Sequence, residues 1–129
     1  MKRITLLFGS FYGASSVILG AFGAHAFKKI LSVEKLQSFE TGVKYQMYHA
    51  LLLVAIGLFL RFKTKWEKGA AWAFIIGVFL FSFSIYLLSF ADYWEINFSV
   101  LGPVTPLGGL FMVIGWFLLL IYFAQKNQK

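Results

Sequence analysis

Cysteine is missing from this 129-residue chain, which excludes disulfides, thiolate metal sites, iron–sulfur clusters and cysteine nucleophiles. Charge is scarce. Asp, Glu, Lys and Arg make up 13% of the residues, against about 25% in a typical soluble domain. Histidine occurs twice, as His25 and His49, and proline twice, as Pro103 and Pro106. Catalytic templates are missing too: the chain has no Gly-rich phosphate loop, no G-x-S-x-G, no H-E-x-x-H and no carboxylate pair in an apolar stretch.

Apolar side chains are what the chain has in quantity. Hydrophobic residues reach 60% and aromatics 20%, with 16 phenylalanines. A soluble domain of this length could not hide so much apolar surface, whereas a bilayer replaces the missing core. Four runs approach the roughly 20 residues that a spanning helix needs. They cover about 4–26, 43–60, 70–91 and 105–124, and none has an Asp, Glu, Lys or Arg in its middle. The runs are apolar throughout rather than alternating, which selects helices over barrel strands. The fold class expected is an all-α membrane protein, with one four-helix transmembrane domain over 1–129.

Orientation follows from the basic residues in the short flanks. Lys2, Arg3, Arg61, Lys63, Lys65, Lys68, Lys126 and Lys129 fall on one side, and Lys28, Lys29, Lys35 and Lys44 on the other. The first side carries only Glu67, while Glu34, Glu40, Asp92 and Glu95 cancel the four lysines of the second. Both termini are therefore expected in the cytoplasm, with Trp66, Trp72 and Tyr122 at the inner interface and Tyr45, Tyr93 and Trp94 at the outer one. The excess of positive charge reads as a topology signal, not as a nucleic-acid surface. Lys2-Arg3, an apolar run and Ala24-His25-Ala26 imitate a cleavable signal peptide. The run is longer than the roughly 7–15 residues of a signal h-region, so it reads as a span.

Between the first two spans, Ser32 can cap a helix, Glu34 suits its first turn, and Leu36, Phe39 and Val43 share a face. That pattern predicts a short amphipathic helix on the outer interface, ahead of the second span. Gly102-Pro103 and Pro106 mark the turn into the fourth helix. In the first helix, Gly9, Gly13, Ser16, Gly20 and Gly23 make a stripe of small residues suited to close helix packing. Whether its partner is internal or a second copy of the chain stays open, and Gly57, Gly77, Gly108, Gly109 and Gly115 suit similar contacts.

The polar residues of the spans gather, on this topology, at outer-leaflet depth. His25 ends helix one, and His49 lies about 8 Å below Lys44 on helix two. Tyr45 and Gln46 share a face with His49, Ser82, Tyr86 and Ser89 share one in helix three, Asp92 lies just beyond, and Thr105 opens helix four. Two histidines at one depth could ligate haem or a metal, or hydrogen-bond a quinone. The plain alternative is a pair of neutral histidines that tie helices together. Two histidines alone would leave a zinc site incomplete.

Gly20-Ala21-Phe22-Gly23-Ala24-His25, Thr41-Gly42-Val43-Lys44-Tyr45-Gln46 with His49, Ser84-Ile85-Tyr86, Val104-Thr105-Pro106-Leu107-Gly108-Gly109 and Gly115-Trp116 resemble, in order, a known family. It is the domain-of-unknown-function family 423 of small bacterial inner-membrane proteins, similar to the animal transmembrane protein 256. The resemblance implies four helices and a place in the plasma membrane, and it adds no activity. It singles out His25, Gln46, His49, Tyr86 and Thr105. Phe83 departs from the small residue expected before the Ser-x-Tyr element, which puts close helix contact there in doubt. The expectation is a non-enzymatic scaffold or accessory subunit in the lipid bilayer, with a homo-oligomer or another membrane protein as partner. A binder of haem, metal or quinone through His25 and His49 is the alternative, and a small transporter or channel a weaker one.

Overall fold

The computed structural model describes residues 1–126, so Lys129, counted above in the basic flank, lies outside the described residues. Among the described residues five α-helices follow one another: α1 Lys2–Ala24, α2 Val33–Phe59, α3 Lys65–Val78, α4 Ser84–Trp94 and α5 Val104–Lys126. A π-helical turn, Phe79–Phe83, joins α3 to α4 without breaking the rod. Four helical stretches are thus long and apolar enough to cross a membrane: Lys2–Lys29, Val33–Phe59, Lys65–Trp94 and Ser99–Gln125. No strand occurs among the described residues. This is a multi-pass, all-helical membrane protein.

Helix α2 differs from the expected short interfacial helix. The Ser32 hydroxyl does accept the Lys35 N–H at 3.2 Å, but the helix it starts runs unbroken for 27 residues into the second span. The reason is local: from Val33 to Phe59 the chain has no proline, and Gly42 and Gly57 are the only glycines, each a modest cost in a helix interior. The apolar face of the segment also has a partner other than lipid. Phe39 is buried against Phe27, Tyr86 and Phe90.

The small-residue stripe of α1 packs on α2 within the same chain. A Cβ on Gly9 would meet Val54, one on Gly13 would meet Ala50, one on Gly20 would meet Val43, and one on Gly23 would meet Phe39. The two helices are therefore antiparallel in a constant register. Helix α5 packs on α3 in the same manner, Gly115 against Phe74, Gly77 against Met112, and Gly108 against the backbone of Phe81. Small residues let backbones approach where lipid offers no hydrophobic drive.

Two further features set the shape. Helix α1 packs on α2 and α3 but not on α4 or α5, which leaves a cleft beside α4. The N-terminus, the 60–64 connection and the later turns of α5 share one end of the bundle: the Lys2 ammonium reaches the Leu58 carbonyl at 3.3 Å, and Gly69 faces Leu118. That connection is built around Glu67. Its carboxylate accepts N–H groups from Arg61, Phe62 and Thr64 and the Thr64 hydroxyl, while the Thr64 side chain accepts the Glu67 N–H. This reciprocal capping box starts α3. It also holds Phe62 in a left-handed conformation, φ 53°, with its ring buried.

Candidate functional site

Gln46 is the junction of three helices. Its amide nitrogen donates to the Tyr12 carbonyl at 3.0 Å and to the Ser15 hydroxyl at 2.7 Å, both on α1. The amide oxygen accepts the Tyr86 hydroxyl of α4 at 2.6 Å. Both donors of the carboxamide and one lone pair of its oxygen are thus engaged. Nearby, Tyr12 donates to the Ile75 carbonyl of α3 at 2.8 Å, and Ser82 donates to the Gly42 carbonyl at 2.8 Å. Gly42 is needed here, because a Cβ would stand 2.9 Å from the Tyr86 ring.

His49 forms a second tie. Its Nδ1 lies 2.8 Å from the Tyr45 carbonyl, and the Trp116 indole donates to Nε2 at 3.3 Å. A carbonyl can only accept and an indole N–H can only donate. Both contacts hold together only for the neutral imidazole with its proton on Nδ1. Phe74 packs on the His49 ring at 5.5 Å and on Trp116 at 5.6 Å, edge-on to the latter. Tyr45 offers its carbonyl to this tie, while its ring is partly exposed and packs on Phe81.

The expectation of two histidines at one depth does not fit this arrangement. His25 caps the end of α1 and is exposed, flanked by Lys28 and Lys29. On the α1–α2 register His25 stands level with about residue 38, roughly 16 Å along the axis from His49. Hydropathy alone sets the outer end of the second span at about Val43 and Lys44. Because α2 begins at Val33, eleven residues or about three turns before Lys44, His49 lies well inside the helix, and Ala50, next to it, faces Gly13 at the middle of α1. A haem or metal shared by His25 and His49 has no geometric basis in this fold. Among the described residues no group of three His, Asp or Glu side chains could hold a metal.

Asp92 and Thr105 also stand apart from Gln46. Asp92 is exposed and lies 3.9 Å from Lys35, a solvated pair of little energetic weight. Thr105 shares a 2.6 Å hydrogen bond with Ser84, which ties the start of α5 to the start of α4. Phe83 is half exposed and stacks on Phe79 at 5.2 Å. The close helix contact falls instead two residues earlier, where Gly108 meets Phe81.

Tyr12, Ser15 and Trp116 were not singled out as interior ligands by sequence reasoning. A signal for the first two existed: Tyr12, Ser15 and Ser16 follow each other at helical spacing in an otherwise apolar run. Trp116 left none, because half of its surface faces outward and only its N–H turns to His49.

The cleft beside α4 measures about 630 Å³, within the size range of small-molecule sites. Phe11, Leu19, Phe79, Phe83, Leu87 and Trp94 contribute to its walls, and Ser15, Gln46 and Tyr86 to its floor. Those polar floor atoms are already bonded to each other. No buried side-chain nitrogen or oxygen among the described residues lacks a partner.

Comparison with known proteins places this architecture among relatives. The model of a family described as protein of unknown function (DUF423) matches residues 19–109. The UPF0382 membrane protein YwdK of Bacillus subtilis is 36% identical over 122 residues, covering 92% of this chain and 94% of that one. The UPF0382 membrane protein SH2409 of Staphylococcus haemolyticus is 35% identical over 119 residues, covering 92% and 93%. The UPF0382 inner membrane protein YgdD of Escherichia coli is 30% identical over 129 residues, covering 99% and 95%. No solved structure matches the chain.

Proposed function

This chain belongs to the DUF423 family of proteins of unknown function, and from that premise we propose that it is a non-enzymatic scaffold or accessory subunit of the plasma membrane. Its termini and the basic 61–68 connection face the cytoplasm on this reading, by the excess of Lys and Arg at that end. The plasma-membrane placement draws on the name of the Escherichia coli relative, an inner membrane protein.

One observation carries the proposal. The polar side chains within the spans bond to one another and to backbone, with Gln46 and His49 at the two centres. Such an interior ties helices together and presents no unpaired group to a substrate or cofactor. What the protein offers to others is its lateral surface. Phe117, Leu120 and Val113 of α5, and Leu7, Phe11 and Ile18 of α1, all point outward.

The test is site-specific photo-crosslinking in the native membrane, with the probe placed in turn at these outward positions. Discrete protein adducts confined to one helix face support the scaffold reading. Adducts with lipid alone at every one of these positions contradict it.

A further inference from the structure

We propose that the cleft between α1 and α4 holds one acyl chain of a phospholipid, with the lipid phosphate at Lys28 and Lys29. This goes beyond the scaffold reading and does not depend on it.

The cleft faces the bilayer, because α1 and α4 do not pack on each other. From Phe79 to Trp94 it follows about 22 Å of the continuous Lys65–Trp94 rod, more than the roughly 15 Å of hydrocarbon in one leaflet. A whole acyl chain therefore fits along it. The walls are aromatic and aliphatic, and the polar floor atoms already have partners. Away from the mouth, where Tyr93 and Trp94 carry polar tips, no buried polar atom of the cleft calls for a hydrogen-bonding guest, which favours hydrocarbon over a polar ring.

One end of the cleft has the chemistry of a head-group site. Phe27 packs edge-on against Phe39 at 5.2 Å and Phe90 at 4.8 Å, and with Ile30, Tyr93 and Trp94 it forms the wall at the end away from the termini. Lys28 and Lys29 lie between the two lining residues Phe27 and Ile30, on an exposed turn. Among the described residues the ion pair formed is Lys35–Asp92, so neither Lys28 nor Lys29 has a carboxylate within reach. Asp92 and Glu95 flank Tyr93 and Trp94 across the mouth, and Lys35 offsets the first of them. The cationic side is thus left to a phosphate, which lysines attract as point charges near a membrane surface. Tyr93 and Trp94 suit the same interfacial depth.

The experiment is native mass spectrometry of the delipidated full-length protein in detergent, titrated with palmitoyl-oleoyl phosphatidylglycerol. One lipid should stay bound at collision energies that strip the rest. Ile30→Trp at the mouth and Leu87→Trp on the wall should each weaken retention about tenfold, as should Lys28→Ala with Lys29→Ala. Lys63→Ala with Lys65→Ala, at the opposite end, should leave it unchanged. Circular dichroism checks that each variant is folded, and Ile30, half exposed on a turn, tolerates change best. The proposal is overturned if no lipid is retained or if retention ignores both tryptophans. Equal retention of a long-chain isoprenoid alcohol, which lacks phosphate, overturns it as well.

Discussion

The hydroxyl of Tyr86 donates to the amide oxygen of Gln46 across 2.6 Å, joining α4 to α2, while the same side chain of Gln46 holds α1. Three of the four spans therefore meet on one carboxamide. Such a junction should be measurable as coupling. Gln46→Leu and Tyr86→Phe, combined in a double-mutant cycle of unfolding in micelles or bicelles, should show an interaction of about 0.6–1.7 kcal/mol. Additive effects would mean that the two side chains do not bond in the folded protein.

The sequence marks Gln46 and Tyr86 as polar residues in apolar runs, but little of the junction between them is legible there. The spans were read from hydropathy, and their helices match because backbone hydrogen bonding in lipid leaves no other choice. A lysine at the start of an apolar run reads as interfacial, so hydropathy alone sets Gln46 and His49 close to the outer end of the second span. In the structure Lys44 lies on a helix that begins eleven residues earlier, and its side chain is exposed. The π-helical turn at Phe79–Phe83 gave no signal in composition or spacing. Tertiary contacts bracket it, the Tyr12 hydroxyl on the Ile75 carbonyl and the close backbone of Gly108 on Phe81, and a local pattern does not encode contacts of that kind.

His49 should carry its proton on Nδ1. Solid-state nitrogen NMR of the labelled protein in lipid should show a protonated Nδ1 and a bare Nε2, and Trp116→Phe should shift the Nε2 signal alone. A proton on Nε2 would break the tie to Trp116 as described.

Glycines on the α3–α5 seam should differ by position. A Cβ on Gly108 would run into the backbone of Phe81, whereas one on Gly109 would sit 3.8 Å from the Phe81 ring, an ordinary contact. Gly108→Ala should destabilise by about 1–3 kcal/mol through overpacking. Gly109→Ala should be neutral or stabilising by up to about 1 kcal/mol through helix propensity. Equilibrium unfolding of the two variants under one condition decides the matter, and equal effects would contradict this packing.

Glu67 should matter more than its place beside a basic loop implies. Four donors converge on its buried carboxylate, and hydrogen bonds to charged groups are worth about 1.5–3 kcal/mol. Glu67→Ala should cost about 2–3 kcal/mol and open the 60–64 connection to proteolysis. Thr64→Ala, which removes one side of the capping box, should cost about 1 kcal/mol. Limited proteolysis from the side of the termini reports both.

The central claim is that the buried polar groups, His49 above all, hold helices together instead of holding a cofactor. It is tested most directly by an optical spectrum and elemental analysis of the protein, purified mildly from its own membrane, with His49→Gln beside it. Neither sample should hold a stoichiometric haem, metal or quinone, and the variant should be less stable but otherwise unchanged. A chromophore or metal present at one per chain and lost in His49→Gln would contradict it.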